Sequence, residues 1–405
     1  MLIKQCPCNY MDKLSAQLTC SSTEKQAIQQ KWYEKTITLI AAILLFNTLL
    51  YGITLSYPLL WDDNILIERT LSTSGIDKIS DSFTGDYLSG LNDNNQQVPY
   101  YRPISRSLIV IERALFKSWS PGYKTVNLFF HLLSSILLFW ALKYFFSSFI
   151  LKQNTFNNKI SQNAAFFSSL LFSTLPYNID AVVFVADMGD LMVLSALLTM
   201  LLLFNKYIKN NSLPVFSGLI LSIIFALGSK ETGMAAAPVL IIYSIMLLNK
   251  SDKKNLFIPA LTVIITALLL TALFIITRNA ILVHATKINF IQVALNFPSY
   301  LIQALRWAAA PHPLSLYEPA LEDFLSPAWW IGAISIISIT ALFFKTIKKL
   351  HPLLFFTLLW IITITPSLIS NNITHLFSLR YLYVPSAALA AIVGYGYIKA
   401  TPILK

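Results

Sequence analysis

The sequence predicts an all-α, polytopic membrane protein, and three observations lead there. Of 405 residues, 56% are hydrophobic and only 12% charged, whereas a soluble domain carries about 25% charged residues. The apolar residues are bunched into runs, and a helix of about 17–25 apolar residues is enough to cross a hydrocarbon core. These runs lack the alternation of strands, and only helices or closed barrels satisfy their own backbone hydrogen bonds in lipid. Mean hydropathy, at +0.62, agrees.

Ten spans are predicted: Ile37–Tyr57, Tyr123–Phe146, Asn163–Ile179, Leu191–Tyr207, Leu213–Gly228, Gly233–Leu248, Leu256–Thr277, Ala328–Phe344, Leu353–Ile369 and Leu382–Ile398. Basic residues orient them, because cytoplasmic loops carry the excess of Lys and Arg. Lys143, Lys152 and Lys159 share one loop, and Lys206 and Lys209 share the next on that side. Lys250, Lys253 and Lys254 follow, then Lys345, Lys348 and Lys349, then Lys399 and Lys405. Lys4, Lys13, Lys25, Lys31 and Lys35 of the N-terminal tail join them. This side is predicted to be the cytoplasm, with a plasma (inner) membrane as the default. Residues 1–36 and 400–405 then form cytoplasmic tails around a membrane domain of residues 37–399. Beyond the N-terminal tail, nearly every carboxylate falls on the opposite face, Asp252 excepted.

The net charge of +11 follows from this arrangement. Lysines against anionic headgroups gain about 1 kcal/mol each, and no basic–aromatic interleaving points to nucleic acid, which is not expected as a partner. The first span follows a long polar tail without a small-residue cleavage site, so it is expected to be an anchor rather than a removed signal peptide. Cys6, Cys8 and Cys20 all lie in that tail. With no His or further Cys nearby, they read as reduced bystanders.

The outer segments are unequal, and the long ones are where chemistry is expected. The first, residues 58–122, far exceeds the 2–8 residues that join helices in bundles. It opens with Trp61-Asp62-Asp63-Asn64. A carboxylate pair at the membrane boundary suits a general base; the structural alternative is that it caps the outer end of the first span. Pro99-Tyr100-Tyr101-Arg102-Pro103 then leads into an amphipathic helix. There Ile104, Leu108, Ile111, Leu115 and Trp119 share one face, and Arg106, Arg113 and Lys117 another. That pattern predicts a helix lying in the membrane interface.

The second outer segment carries Asp180, Asp187 and Asp190. Asp190 suits a helix N-terminus, whereas Asp180 is open to a metal, a sugar hydroxyl or an acceptor. The third is the tight turn Ser229-Lys230-Glu231, where Lys230 either pairs with Glu231 or meets a lipid phosphate. In the fourth, residues 278–327, Phe290–Ala310 is predicted to be an interfacial or re-entrant helix. An eleventh span there would put Lys345, Lys348 and Lys349 outside. The fifth ends in Arg380-Tyr381-Leu382-Tyr383, where Arg380 and Tyr381 suit a phosphate or diphosphate or an ordinary interfacial anchor.

Taken in order, these motifs resemble the GT-C class of membrane glycosyltransferases. The likeness is nearest to the membrane half of the transmembrane and tetratricopeptide-repeat O-mannosyltransferase-like proteins. Asp62-Asp63 after the first span and Tyr101-Arg102-Pro103 match in order. Gly122-Tyr123-Lys124-Thr125-Val126-Asn127, with His131 beyond, is similar to the family's GYHxVNxxxH segment. Pro176-Tyr177-Asn178-Ile179-Asp180-Ala181-Val182 is similar to HPVHVEAV, Ser229-Lys230-Glu231 to SKE, and Arg380-Tyr381-Leu382-Tyr383-Val384-Pro385 to RYLYLP. The likeness covers residues 60–393. Three departures stand out: Met188-Gly189 where the family has a basic pair, Asn178 for a His and Asp180 for a Glu. No tetratricopeptide repeats follow in this chain.

The resemblance implies transfer of a sugar, such as a mannose-like hexose, from a polyprenyl-phosphate donor to a hydroxyl on a protein or glycan acceptor. It implies that Asp62 is the general base, that Asp63 supports it, and that inversion occurs at the anomeric carbon. It also leaves open a divalent metal, Mg2+ or Mn2+, at Asp62 and Asp63. Arg102, Lys230 and Arg380 would bind the donor phosphate, with Asp180, Asp190, Tyr101, Glu231 and Tyr381 in acceptor or supporting roles. Membrane lipid is the expected surrounding partner. Two other readings stay open: a transporter or flippase for a lipid-linked sugar, and a non-catalytic membrane scaffold.

Overall fold

A computed structural model of the chain describes residues 35–71, 79–88, 98–151, 155–250, 256–284, 289–311, 315, 317–321 and 324–401. The tail cysteines, Lys4, Lys13, Lys25, Lys31, Lys152, Lys253, Lys254, Lys405 and residues 72–78 and 89–97 of the first long loop lie outside the described residues. The chain divides into two units, Met1–Phe46 and Asn47–Lys405. The boundary falls within the first helix, and every later element belongs to the second unit.

Helices dominate. They are α1 Lys35–Ser56, α2 Asp62–Leu71, α3 Pro103–Phe116, α4 Ser120–Phe145, α5 Thr155–Thr174 and α6 Asn178–Val183. Then come α7 Met188–Asn210, α8 Leu213–Ser229, α9 Ala236–Lys250 and α10 Phe257–Ile281. The last are α11 Phe290–Ala309, α12 Pro327–Thr346, α13 Pro352–Thr374 and α14 Tyr383–Ala400. Two three-residue strands, β1 Tyr317–Pro319 and β2 Leu376–Ser378, pair antiparallel with Tyr317 opposite Ser378.

Among the described residues, eight helical stretches are long and apolar enough to cross a membrane: α1, α4, α7, Glu231–Asn249 (α9 together with the short helical turn before it), α10, α12, α13 and α14. Each predicted span overlaps a helix, although the third, Asn163–Ile179, runs past the end of α5 at Thr174 into a turn, and the difference in count has a physical reason. α8 is apolar but only 17 residues long, and α5 is diluted by Asn157, Asn158, Lys159, Ser161, Gln162 and Asn163. The predicted helix at 290–310 is present as α11 and is not among the eight.

Burial sorts the helices within the second unit. Of the apolar window, 72% is buried in the span Val185–Asn210 that contains α7, against 6% in Pro327–Lys349, which contains α12. α12 instead exposes Trp330, Ile331, Ile334, Ile337 and Phe344, a surface only lipid or a partner can cover. Small residues let neighbouring helices approach. Gly394 of α14 meets Ser168 of α5, and a Cβ on Gly332 of α12 would fall 2.3 Å from the carbonyl oxygen of Pro298 in α11.

The amphipathic segment folds as α3, but its faces differ from the prediction. Ser105, Ile109, Glu112 and Arg113 are buried, and Ser105 Oγ donates to the Ser229 carbonyl of α8 at 2.6 Å. Arg113 is therefore not on a free cationic face. Gly228 allows the approach, since Ile104 occupies the space a Cβ would take. Ile111, Leu115 and Trp119 remain exposed.

Candidate functional site

Segments far apart in sequence meet at one end of the helices around a cavity of about 200 Å3. Its lining includes Asp62, Arg102, Lys230, Glu231, Arg380 and Tyr381, six of the residues singled out in the sequence. Tyr87, Tyr100, Asp187 and Tyr317 join them.

Asp62 and Asp63 open α2, where the helix dipole favours anions, but they part company there. Asp62 is exposed and faces the cavity. Asp63 is 1% exposed, and its Oδ1 accepts a 2.8 Å hydrogen bond from the backbone N–H of Ala186. Burial pushes its carboxyl up to about 6, with backbone N–H groups from Ala186 and Val185 pulling the other way. Asp63 thus fastens α2 to the segment before α7 and leaves Asp62 as the available carboxylate.

Arg102 precedes the helix-starting Pro103 and lies between two aromatic faces, 4.7 Å from the Tyr100 ring centre and 5.1 Å from that of Tyr87. Its Nε and NH2 donate to Glu231 at 3.0 and 2.8 Å. Tyr101 does not belong to the site. It is buried, donates to the Phe83 carbonyl at 3.1 Å and packs on Phe274. Tyr100 takes the cavity position instead.

Extended backbone sends successive side chains to opposite faces, and this separates Lys230 from Glu231. Lys230 has φ −160° and ψ 160°, so the two side chains diverge and do not pair with each other. Lys230 Nζ donates to Asp190 instead, and Glu231 reaches Arg102. Burial pushes the Lys230 ammonium down, and Asp190 opposes that shift. Lys230 also lies 5.8 Å from the Tyr381 ring centre.

Gly189 packs closely in this arrangement. A Cβ there would fall 3.0 Å from the Ser229 carbonyl oxygen and 3.3 Å from Lys230 Cβ. The Met188-Gly189 departure thus brings the Lys230 turn against α7.

Arg380 NH1 donates to Asp187 Oδ1 at 2.5 Å, and the guanidinium lies 5.4 Å from the Tyr317 ring centre. Asp187 is a site residue the sequence reading did not single out. Its spacing from Asp190 was the available signal, because residues three apart share a helical face. Asp180 is buried outside the cavity lining and accepts from Ser378 Oγ at 3.2 Å and from Arg380 N–H at 3.1 Å. It is committed to holding the Arg380 turn, and burial raises its carboxyl while Arg380 lowers it. Asp187 Oδ2 and Asp190 Oδ1, both buried, have no hydrogen-bond partner among the described residues.

No family model, curated protein or solved structure matches the chain.

A divalent metal at Asp62 and Asp63 does not fit the donor set. Asp63 is held by backbone, and among the described residues no three His, Cys, Asp or Glu converge. His131 is likewise a core residue, its two ring nitrogens meeting Tyr383 OH at 2.9 Å and Asn47 Oδ1 at 3.0 Å. Chemically, the cavity offers three cations beside one accessible carboxylate. An arginine has five N–H donors and a lysine three. The pairs use Nε and NH2 of Arg102 and NH1 of Arg380, so the cavity can hold an anion with its cations already oriented.

Proposed function

We propose that the protein is a membrane glycosyltransferase of the GT-C kind. It moves a sugar from a polyprenyl-phosphate donor to an acceptor hydroxyl at the extracytoplasmic surface. One observation carries this reading: Asp62 shares a small cavity with Arg102, Lys230 and Arg380, which come from three other segments of the chain. A base beside a cluster of oriented cations is what transfer from a phosphate-linked donor requires.

The step balances within that cavity. The Asp62 carboxylate takes the acceptor's O–H proton as the oxygen attacks the anomeric carbon from the side opposite the phosphate. The sugar–oxygen bond to phosphate breaks, and its electron pair leaves with the polyprenyl phosphate. Arg102, Lys230 and Arg380 stabilise the negative charge gathering on that phosphate, which lowers the barrier. Asp63, Asp180 and Asp190 keep the parts aligned. The lysine-rich loops lie in the cytoplasm on this reading, and the exposed aromatic and aliphatic faces of α10 and α12 meet lipid.

The test is incubation of the purified full chain with polyprenyl-phosphate sugars while following release of polyprenyl phosphate. Asp62→Asn is expected to lower the rate by about 10²–10⁴, the usual contribution of a general base, without loss of expression or membrane insertion. Full activity in that variant removes Asp62 from the role. Transport of the intact lipid-linked sugar, without release, would favour the flippase reading.

A further inference from the structure

Trp61 stands at the rim of the cavity, next in sequence to Asp62, and has three unusual properties. Its side chain is 59% exposed. Its backbone φ is 43°, a region that glycine and asparagine enter cheaply and bulky residues rarely do. Such strain persists where the surroundings impose it and is concentrated at functional sites. The carbonyl of Trp61 also accepts from Asn64 N–H at 3.1 Å, so the strained residue is tied into the first turn of α2. A Trp here is an expensive way to start a helix.

The indole lies beside two rings. Tyr317 is stacked on it, with centroids 6.2 Å apart and planes at 28°, and Phe184 lies 6.3 Å away. Tyr317 is itself held firmly. Its strand pairs with β2, and the next residue, Glu318, accepts hydrogen bonds from Gln303, Arg306 and Trp307 of α11. Tyr317 lines the cavity while Trp61 stands outside it, so the two rings form a step from solvent down to Asp62 and Arg380.

We propose that Trp61 and Tyr317 form a carbohydrate platform at the mouth of the cavity, so that the acceptor is a glycan whose pyranose ring lies on the exposed indole. This assignment of the ring as the acceptor rests on Asp62 being the acceptor's base. The chemistry of the rim favours a sugar. A pyranose has a face of C–H groups that matches an aromatic π-surface and hydroxyls at its edge that match the neighbouring carboxylate.

Saturation-transfer NMR on the full chain in nanodiscs, free of sugar-based detergent, tests this. The probes are a panel of neutral di- and trisaccharides and a Ser/Thr-rich peptide. The expected result is saturable transfer to sugar ring C–H protons and at least tenfold weaker binding in Trp61→Ala. Trp61→Phe, which keeps an aromatic face, should stay within about threefold and shows that the rim still folds. No saturable signal from the panel overturns the platform, as does equal affinity in Trp61→Ala or Trp61-dependent binding of the peptide alone. Asp62→Asn should keep sugar binding while losing transfer. Trp61-dependent sugar binding in a protein that never releases polyprenyl phosphate would leave the platform standing and remove the transferase.

Discussion

Lys124 illustrates how a single side chain serves the site from outside it. A cation in the first turn of α4 opposes that helix's own dipole, but its buried ammonium reaches the end of another helix. Nζ donates to the carbonyls of Tyr57 at 2.8 Å, Pro58 at 3.0 Å and Thr54 at 3.3 Å, where the chain leaves α1. It thereby fixes the chain just before Trp61 and Asp62. Lys124→Met is expected to cost about 1–3 kcal/mol for the lost charge-assisted hydrogen bonds, seen as a lower Tm by intrinsic fluorescence, with Lys124→Arg recovering part. Glu112 makes a second residue-level case. It is 1% exposed, neither carboxylate oxygen has a hydrogen-bond partner among the described residues, and burial pushes its pKa up to about 8. The folded protein then holds a proton that the unfolded chain releases at ordinary glutamate pH, so wild-type stability falls as pH rises from about 4.5 to 8. Glu112→Gln removes that dependence. Its Tm advantage over wild type should widen across this window and stay constant above it; a constant difference throughout would refute the buried neutral acid.

The elements show what the sequence revealed and what it concealed. Helices were legible because apolar runs and their polar breaks are local properties, and α1, α4, α7 and α10 lie close to their predicted bounds. Asp62, Arg102, Lys230 and Arg380 were legible as polar groups at helix ends. Their pairing was not, because partners 129, 40 and 193 residues apart are chosen by packing. The divergence of Lys230 and Glu231 came from backbone that is extended rather than helical, where one position of register reverses the outcome, and at Tyr101 it is the neighbouring Tyr100 that lines the cavity. The turn containing Lys230 also depends on close approach. A Cβ on Gly233 would lie 2.1 Å from the carbonyl oxygen of Ala226, so α8 and the turn must separate to admit it. Gly233→Ala is expected to lower Tm by several degrees and to weaken binding of a polyprenyl phosphate, since Lys230 moves with the turn. Unchanged values in both assays would show that the contact is not tight.

At the scale of the whole molecule, the orientation has a direct check. All three cysteines lie in the N-terminal tail, so no engineered label is needed. A membrane-impermeant maleimide should leave intact cells unlabelled at this protein and react after permeabilisation; labelling of intact cells would invert the topology. The ion pairs bear on the molecule's history as well as its shape. Arg102–Glu231, Lys230–Asp190 and Arg380–Asp187 join loops that lie far apart along the chain, and a buried charge deprived of its partner typically costs about 3–5 kcal/mol. Neither member of such a pair is free to drift alone. Related chains are therefore expected to change these positions in couples, and the memory of the site would survive in correlated substitutions after overall resemblance has worn away.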